Sequence, residues 1–260
     1  MTSTSVRRHR ATGLVVLCAA LVMTGVGYAA VSGTAEAAAP EASQQQVEQG
    51  RQLFLEGCAT CHGLGAQGSS DGPSLIGVGA ASVDFQVTTG RMPLAQPSNQ
   101  APRKVPTYTP EMVAALAAYV ATLGPGPSIP SDSDLATNDA NLAEGGTLFR
   151  TNCAQCHNFA GRGGALSDGK YAPNMMKATP REIYEAMLTG PQSMPNFTDA
   201  TMPAEKKQAI IKYIAYLQSA SDPGGLALGS YGPVTEGMFI WTAGIGILLA
   251  ASVWIGAKVR

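Results

Sequence analysis

Cys58-Ala59-Thr60-Cys61-His62 and Cys153-Ala154-Gln155-Cys156-His157 are two copies of C-x-x-C-H, the pattern by which c-type haem is attached to protein. Its two cysteines form thioethers with the haem vinyl groups, and the adjacent histidine is placed under the iron as proximal ligand. One copy could arise by chance. Two copies inside a longer repeat predict two covalently bound haem c groups, on Cys58 and Cys61 and on Cys153 and Cys156, with His62 and His157 on the irons.

The repeat extends on both sides of the motif. Gly50-Arg51-Gln52-Leu53-Phe54 precedes the first copy, and Gly145-Gly146-Thr147-Leu148-Phe149 stands at the same offset before the second. The spacing puts Leu and Phe of each copy on the packed face of a short helix entering the haem site. Gly-rich loops follow, from Gly63 to Gly79 and from Gly161 to Gly169. A second helix closes each copy. Pro110-Glu111 opens one with Val113, Leu116, Tyr119, Val120 and Leu123 along it, and Pro203-Ala204-Glu205 opens the other with Ile210, Ile211, Ile214 and Leu217. Proline and acid at the start, with Gly and Pro beyond the end, are helix punctuation. Tyr119 and Tyr213 occupy equivalent places and are read as packing residues. The organisation expected is a domain over residues 45–124, a Pro/Ser/Asp linker over 125–140, and a second domain over 141–221.

Length and composition fit that division. The 260 residues are enough for two domains of about 100 residues, each with a small core. Charged residues make up only 13% against 45% hydrophobic, which points to membrane segments. A net charge of −1 gives no footing for a nucleic-acid partner.

Two uncharged runs suggest where the membrane lies. Residues 13–31 follow the basic Arg7-Arg8-His9-Arg10, and residues 237–257 end at Lys258-Val259-Arg260. Each is about the 20 residues a crossing helix needs. Trp241 and Trp254 suit interfacial anchoring, and the basic flanks put both ends in the cytoplasm and both haem domains outside. The first run, within residues 1–34, also fits a secretory signal with an A-x-A site at Ala35-Glu36-Ala37, although it is longer than the usual signal core. The chain is therefore multi-pass if that run is retained and single-pass if it is cleaved. Residues 32–46 and 222–236 read as tethers, and 258–260 as a cytoplasmic end. Cys18, the fifth cysteine, lies in the first apolar run and reads as an ordinary buried thiol.

The histidine count constrains the irons further. Only three histidines exist, and His9 lies in the basic N-terminal cluster, so neither haem has a second histidine in its own domain. The sixth ligand is then methionine, a weaker substitute or nothing, and His/Met ligation raises the reduction potential. In the first copy Met92 sits in the loop Thr89-Gly90-Arg91-Met92-Pro93, whereas Met112 falls on the closing helix as a core residue. In the second, Thr189-Gly190-Pro191-Gln192-Ser193-Met194-Pro195 repeats the Thr-Gly then Met-Pro pattern with two extra residues. Met194 is accordingly the expected ligand, with Met202 as its rival and with Met175 and Met176 lining the pocket.

An N-terminal helix, C-x-x-C-H, a distal Met-Pro loop and a closing helix with an aromatic residue together resemble class I cytochrome c. The fold class expected is all-α: two tandem cytochrome c domains, a C-terminal transmembrane helix and an N-terminal apolar helix that is anchor or signal. The tandem arrangement, with Gly57-Cys58-Ala59-Thr60-Cys61-His62-Gly63-Leu64-Gly65-Ala66-Gln67-Gly68 and Cys153-Ala154-Gln155-Cys156-His157-Asn158-Phe159, is similar to the dihaem cytochrome c subunit (cytochrome cc) of the actinobacterial cytochrome bc1 complex. That resemblance implies a cytochrome b subunit, a Rieske iron–sulfur subunit and a cytochrome aa3-type oxidase as partners in the cell membrane. It implies that menaquinol electrons pass from the Rieske centre through one haem and then the other towards the oxidase. The chain itself would be an electron carrier, a subunit of a quinol–cytochrome c reductase that does not bind quinol.

Competing readings are weaker. A peroxidase-like dihaem enzyme needs an open iron position and acid–base groups beside it, and no distal histidine exists. A periplasmic dehydrogenase or an oxidase could instead use such a cytochrome subunit. A thioredoxin-type C-x-x-C does not explain the histidine after both motifs, and zinc pairs lie much closer together in sequence than Cys61 and Cys153.

Overall fold

The computed structural model describes residues 5–32, 42–220, 228–230 and 232–258. The extreme N-terminal tip, most of the first tether, residues 221–227 of the second and the last two residues lie outside the described residues. Helix α1 (Ser5–Ser32) belongs to an N-terminal unit of its own. Its described side chains run from Thr12 to Val26, an apolar stretch exposed along its whole length, so Cys18 is exposed and not buried as expected, because nothing packs on that helix among the described residues.

The first haem domain is built from helices α2 (Gln44–Gly57), α3 (Ala59–His62), α4 (Gly79–Thr88) and α5 (Pro110–Ala121). Ser43 caps α2 by accepting from the Gln46 amide, and Thr109 caps α5 with Pro110 at the first helical position, each satisfying donors that a helix start leaves open. The α2 and α5 helices cross at Gly50, where a Cβ would overlap the Ala115 carbonyl oxygen. The crossing buries Phe54 against Tyr119, with ring centroids 5.4 Å apart and tilted by 47°. Val83 and Val87 of α4 complete this core with Val113, Leu116 and Val120 of α5.

The second domain repeats the plan with α7 (Leu142–Asn152), α8 (Ala154–His157), α9 (Pro180–Thr189) and α10 (Ala204–Ser219). Gly145 meets the Ala209 carbonyl as Gly50 meets that of Ala115. Phe149 and Tyr213 pair at the same 5.4 Å and 47°, so the Leu-Phe and tyrosine repeat is a repeat of helix packing. A short antiparallel pair, β1 (Gly164–Ala165) and β2 (Tyr171–Ala172), occupies the second Gly-rich loop, the one departure from an all-helical plan among the described residues. Sequence punctuation missed α4 and α9, and both lie between the Gly-rich loop and the Met-Pro loop. The α9 helix carries a full capping box, Thr179 with Glu182, behind Pro180, which is readable once looked for.

The segment read as a Pro/Ser/Asp linker is stitched down on both sides. Pro127 O accepts from the Ala81 amide at 3.1 Å, and Ile129 packs on the first core. A one-turn helix α6 (Asp132–Leu135), capped by Ser131 with Asp134, lays Leu135 on the second core. Lys212 Nζ then ties the Asn138 and Ala140 carbonyls to α10 at 3.1 and 2.8 Å.

The equivalent helices α4 and α9 pack against each other between the domains. Their seam buries two carboxyls, Asp84 and Glu185, the latter fully inaccessible. Arg181 Nη1 stands 3.9 Å from Asp84 Oδ2, at the outer limit of an ion pair. Burial first, then the hydrogen bond to and the charge of Asp84, push the Glu185 pKa up to about 9, against the pull of Arg181. Glu185 is thus a neutral acid buried beside Asp84.

The last helix, α11 (Pro233–Lys258), is the one described helix long and apolar enough to cross a membrane, with mean hydropathy 2.0 over Val234–Lys258. It begins before residue 237, inside the stretch read as tether, because Pro233 and Glu236 are themselves helix-start residues. Lys258 Nζ caps the Trp254 ring at 4.5 Å, the interfacial pairing expected at that end.

Replacing Gly145 with alanine forces a methyl into the Ala209 backbone, which has no flexible end to give way. The expected loss is about 1–3 kcal/mol of second-domain stability, as for overpacked cores, read by denaturant unfolding, and an unchanged midpoint would show that the crossing tolerates a wider approach. For Glu185, the folded-state pKa lies above its ordinary 4.5, so its stabilisation is complete below that value and is lost as pH rises towards about 9. Thermal unfolding should release about one proton in that window, and Glu185→Gln should abolish that slope. Equal pH profiles for parent and variant would mean that the buried acid is ionised.

Candidate haem-attachment sites

Each C-x-x-C-H folds as a single helical turn. In the first, the Cys61 and His62 amides both donate to Cys58 O, at 3.2 and 3.0 Å, and in the second Cys156 and His157 donate to Cys153 O at 3.2 and 2.9 Å. Residues three and four apart on such a turn lie on one face. The two sulfurs and the imidazole of each copy therefore address the same side of the backbone, as a ring bridged at two points and ligated from below requires. The Cys58, Cys61 and Cys153 side chains are half-buried and Cys156 is exposed.

The first thiol of each pair is held neutral. Burial, and then the neighbouring Cys61, push Cys58 up to about 11, and burial with Cys156 does the same to Cys153. Redox and zinc-binding C-x-x-C pairs work through depressed thiol pKa values, which is the opposite environment. Among the described residues no group of three or more His, Cys, Asp and Glu is placed to hold a metal by itself.

A backbone carbonyl orients each histidine. His62 Nδ1 is 2.7 Å from Pro73 O, and His157 Nδ1 is 3.0 Å from Pro173 O. A carbonyl oxygen can only accept, so Nδ1 carries the proton and donates, and Nε2 keeps its lone pair for a metal. His157 is buried, and burial lowers its pKa against the opposing effect of that same bond, keeping the imidazole neutral as a ligand must be. The close approach on the first copy depends on Gly72, where a Cβ would stand 2.9 Å from Cys61 O and 3.1 Å from His62 Nδ1.

The loops that deliver these prolines match bond for bond. Gly68 and Gly163 donate to the carbonyls of His62 and His157 at 2.8 and 2.9 Å, and Leu75 and Met175 donate to those of Ala66 and Gly161 at 2.8 and 2.9 Å. Met175 is thus the counterpart of Leu75, packed on its domain core. Pro73 and Pro173 escaped the sequence reading, although a proline two residues before Leu75 and before Met175 was a visible signal.

The expected methionine ligands, Met92 and Met194, are half-buried, each packed against its own domain core. Both follow an equivalent helix end, where Thr89 and Thr189 hydroxyls donate to the Phe85 and Glu185 carbonyls at 2.6 and 2.8 Å. Met92 N then donates to Gln86 O at 3.0 Å, and Met194 N closes a turn on Pro191 O at 3.1 Å. Met202, the rival, is buried among Ile183, Met187 and Ile210.

Residues 47–124 match the family described as cytochrome c. Residues 140–214 match that of cytochrome c oxidase, cbb3-type, subunit III. Covalently bound c-type haem is the group such domains carry, and the paired cysteines with their carbonyl-oriented imidazoles fit it. Over 96% of its length the chain is 45% identical to the cytochrome bc1 complex cytochrome c subunit of Corynebacterium diphtheriae, spanning 95% of that protein. It is equally similar, at 45% over 96%, to the subunit of the same name in Mycobacterium tuberculosis, of which it spans 92%. A more distant likeness, 29% identity over 54% of this chain and 47% of the other, is to the cbb3-type cytochrome c oxidase subunit FixP of Rhizobium meliloti.

Proposed function

Because the chain belongs to the family of cytochrome bc1 complex cytochrome c subunits, we propose that it is the dihaem electron-transfer subunit of a quinol-oxidising membrane complex. A haem c on Cys58 and Cys61 and another on Cys153 and Cys156 supply one-electron carriage between ferric and ferrous iron. His62 and His157 are the proximal ligands, Met92 and Met194 the distal ones, and Met202 a core residue. The observation that carries the reading is the doubled imidazole-to-proline-carbonyl bond, which prepares Nε2 of both histidines in the same way.

The remaining assignments follow from placing the chain in such a complex. A Rieske iron–sulfur subunit donates, a cytochrome b subunit anchors the assembly, and a cytochrome aa3-type oxidase accepts. Helix α11 crosses the plasma membrane with Lys258 on the cytoplasmic side and the haem domains outside. Quinol chemistry belongs to the partners, and this chain contributes binding, orientation and water exclusion around each haem. A second reading, a subunit of an oxidase, draws on the match of residues 140–214 to the cbb3-type subunit III family. That match spans the second domain alone, where a shared cytochrome c fold accounts for it.

Haem stoichiometry and co-purification test the proposal together. The expected chain carries two haems, falling to one in Cys58→Ser/Cys61→Ser and to one in Cys153→Ser/Cys156→Ser, and brings cytochrome b and Rieske subunits with it from mild detergent. A single haem, or recovery with a dehydrogenase or a cbb3-type oxidase, overturns it. Met92→Leu and Met194→Leu should each lower the potential of one haem, since methionine ligation raises it. Met202→Leu should leave both potentials in place and cost less than about 1.5 kcal/mol as a near-isosteric core swap.

A further inference from the structure

The second Met loop is two residues longer than the first, and Gln192 within it reaches the other domain. Gln192 Oε1 accepts from the Ala101 amide at 3.3 Å, and its Nε2 donates to the Ala101 carbonyl at 3.1 Å. The reverse clamp is made from the first domain: Gln100 Nε2 donates to Tyr171 O at 2.6 Å, and its Oε1 accepts from the Tyr171 amide at 3.0 Å. Each glutamine thus grips both backbone groups of one residue in the opposite domain. Beside them Arg103 binds Glu182 through two bonds, at 2.9 and 2.7 Å, the forked geometry that fixes direction as well as distance.

Gln192 does this from a left-handed backbone, φ +60°. That region is uncommon for a residue with a side chain, and such strain persists only where its surroundings enforce it. The clamp also connects the two Met loops. Gln192 is two residues before Met194, and it holds Ala101 in the loop 93–109 that follows Met92, longer than its counterpart 195–202. Lys104, three residues on, returns to Met92's neighbour, its Nζ donating to Pro93 O at 2.8 Å and its amide to Thr89 O at 3.3 Å.

We propose that Gln192 and Gln100 are positioning residues for electron transfer between the two haems, their reciprocal backbone clamps locking the loop after Met92 to the methionine loop and to the Gly-rich loop of the second domain. This rests on the assignment of Met92 and Met194 as the distal ligands. Electron tunnelling falls off exponentially with separation, so a subunit that must pass electrons internally needs a fixed interval between its irons. The two clamps, the Arg103–Glu182 fork and the pinned linker supply it. The hydrogen bonds of both glutamines end on backbone groups of Ala101 and Tyr171 and on no haem-attaching residue, and their effect is on the distance.

The test uses the full haem-loaded chain in its complex with Gln192→Gly, since glycine adopts positive φ freely and removes the clamp without adding strain. Exchange of the Ala101 amide, in the other domain, should accelerate by about tenfold for the loss of these hydrogen bonds. The iron–iron distance distribution from pulsed electron paramagnetic resonance should broaden, and electron equilibration between the haems after flash reduction should slow. Haem content and the methionine–iron charge-transfer absorption should stay as in the parent. Gln100→Ala should do the same through the Tyr171 amide. An unchanged distance distribution and equilibration rate in both variants would overturn the proposal. So would loss of the methionine absorption in Gln192→Gly, which would make the residue a support for the Met194 loop. Absence of that absorption in the parent would instead overturn the ligand assignment on which the proposal rests.

Discussion

Two backbone carbonyls, Pro73 O and Pro173 O, decide what the two histidines can be. Each takes the Nδ1 proton of its imidazole at hydrogen-bond distance and so leaves Nε2 as a lone pair. Without that bond the ring could rotate or take the other tautomer, and the C-x-x-C-H turn would present a histidine of undefined chemistry. Much of the local structure serves it. The Gly-rich loops exist to bring a proline carbonyl back under the turn, and Gly72 is small because the loop passes against Cys61 and His62. The crossed helices with their paired Phe and Tyr rings hold the turn itself in place.

What the sequence revealed, and what it hid, follow from the range of the interactions. The helical turn of C-x-x-C-H, the entry helix and the closing helix are local or periodic, and they are legible because Phe54, Phe149, Tyr119 and Tyr213 recur at fixed offsets. The small helices α4 and α9 were not legible in that way, since loops with few repeated residues surround them. The proline carbonyls were hidden for a different reason: a backbone acceptor leaves no side-chain signature. Glu185 was the least readable residue. It stands where the first copy has Phe85, and only the packing of α4 against α9 explains a buried acid there.

Duplication gave the chain two similar sites, and the differences between the copies join them. The longer loop after Met92 carries Gln100 and Arg103, and the extra residues before Met194 carry Gln192. Both departures from strict repetition end on the opposite domain. Asp84 and Glu185 lie in the same seam, where the neutral form of Glu185 avoids a charge that burial would make costly. Helix α11, exposed and apolar along its length, follows the second domain and tethers the pair to the bilayer.

Near-infrared magnetic circular dichroism of the oxidised complex tests the central claim most directly, because it reports the axial ligands of each ferric haem. The account predicts that both haems of this chain are low-spin with histidine–methionine charge-transfer bands. A high-spin signal, or low-spin bands without a methionine contribution from either domain, would contradict it.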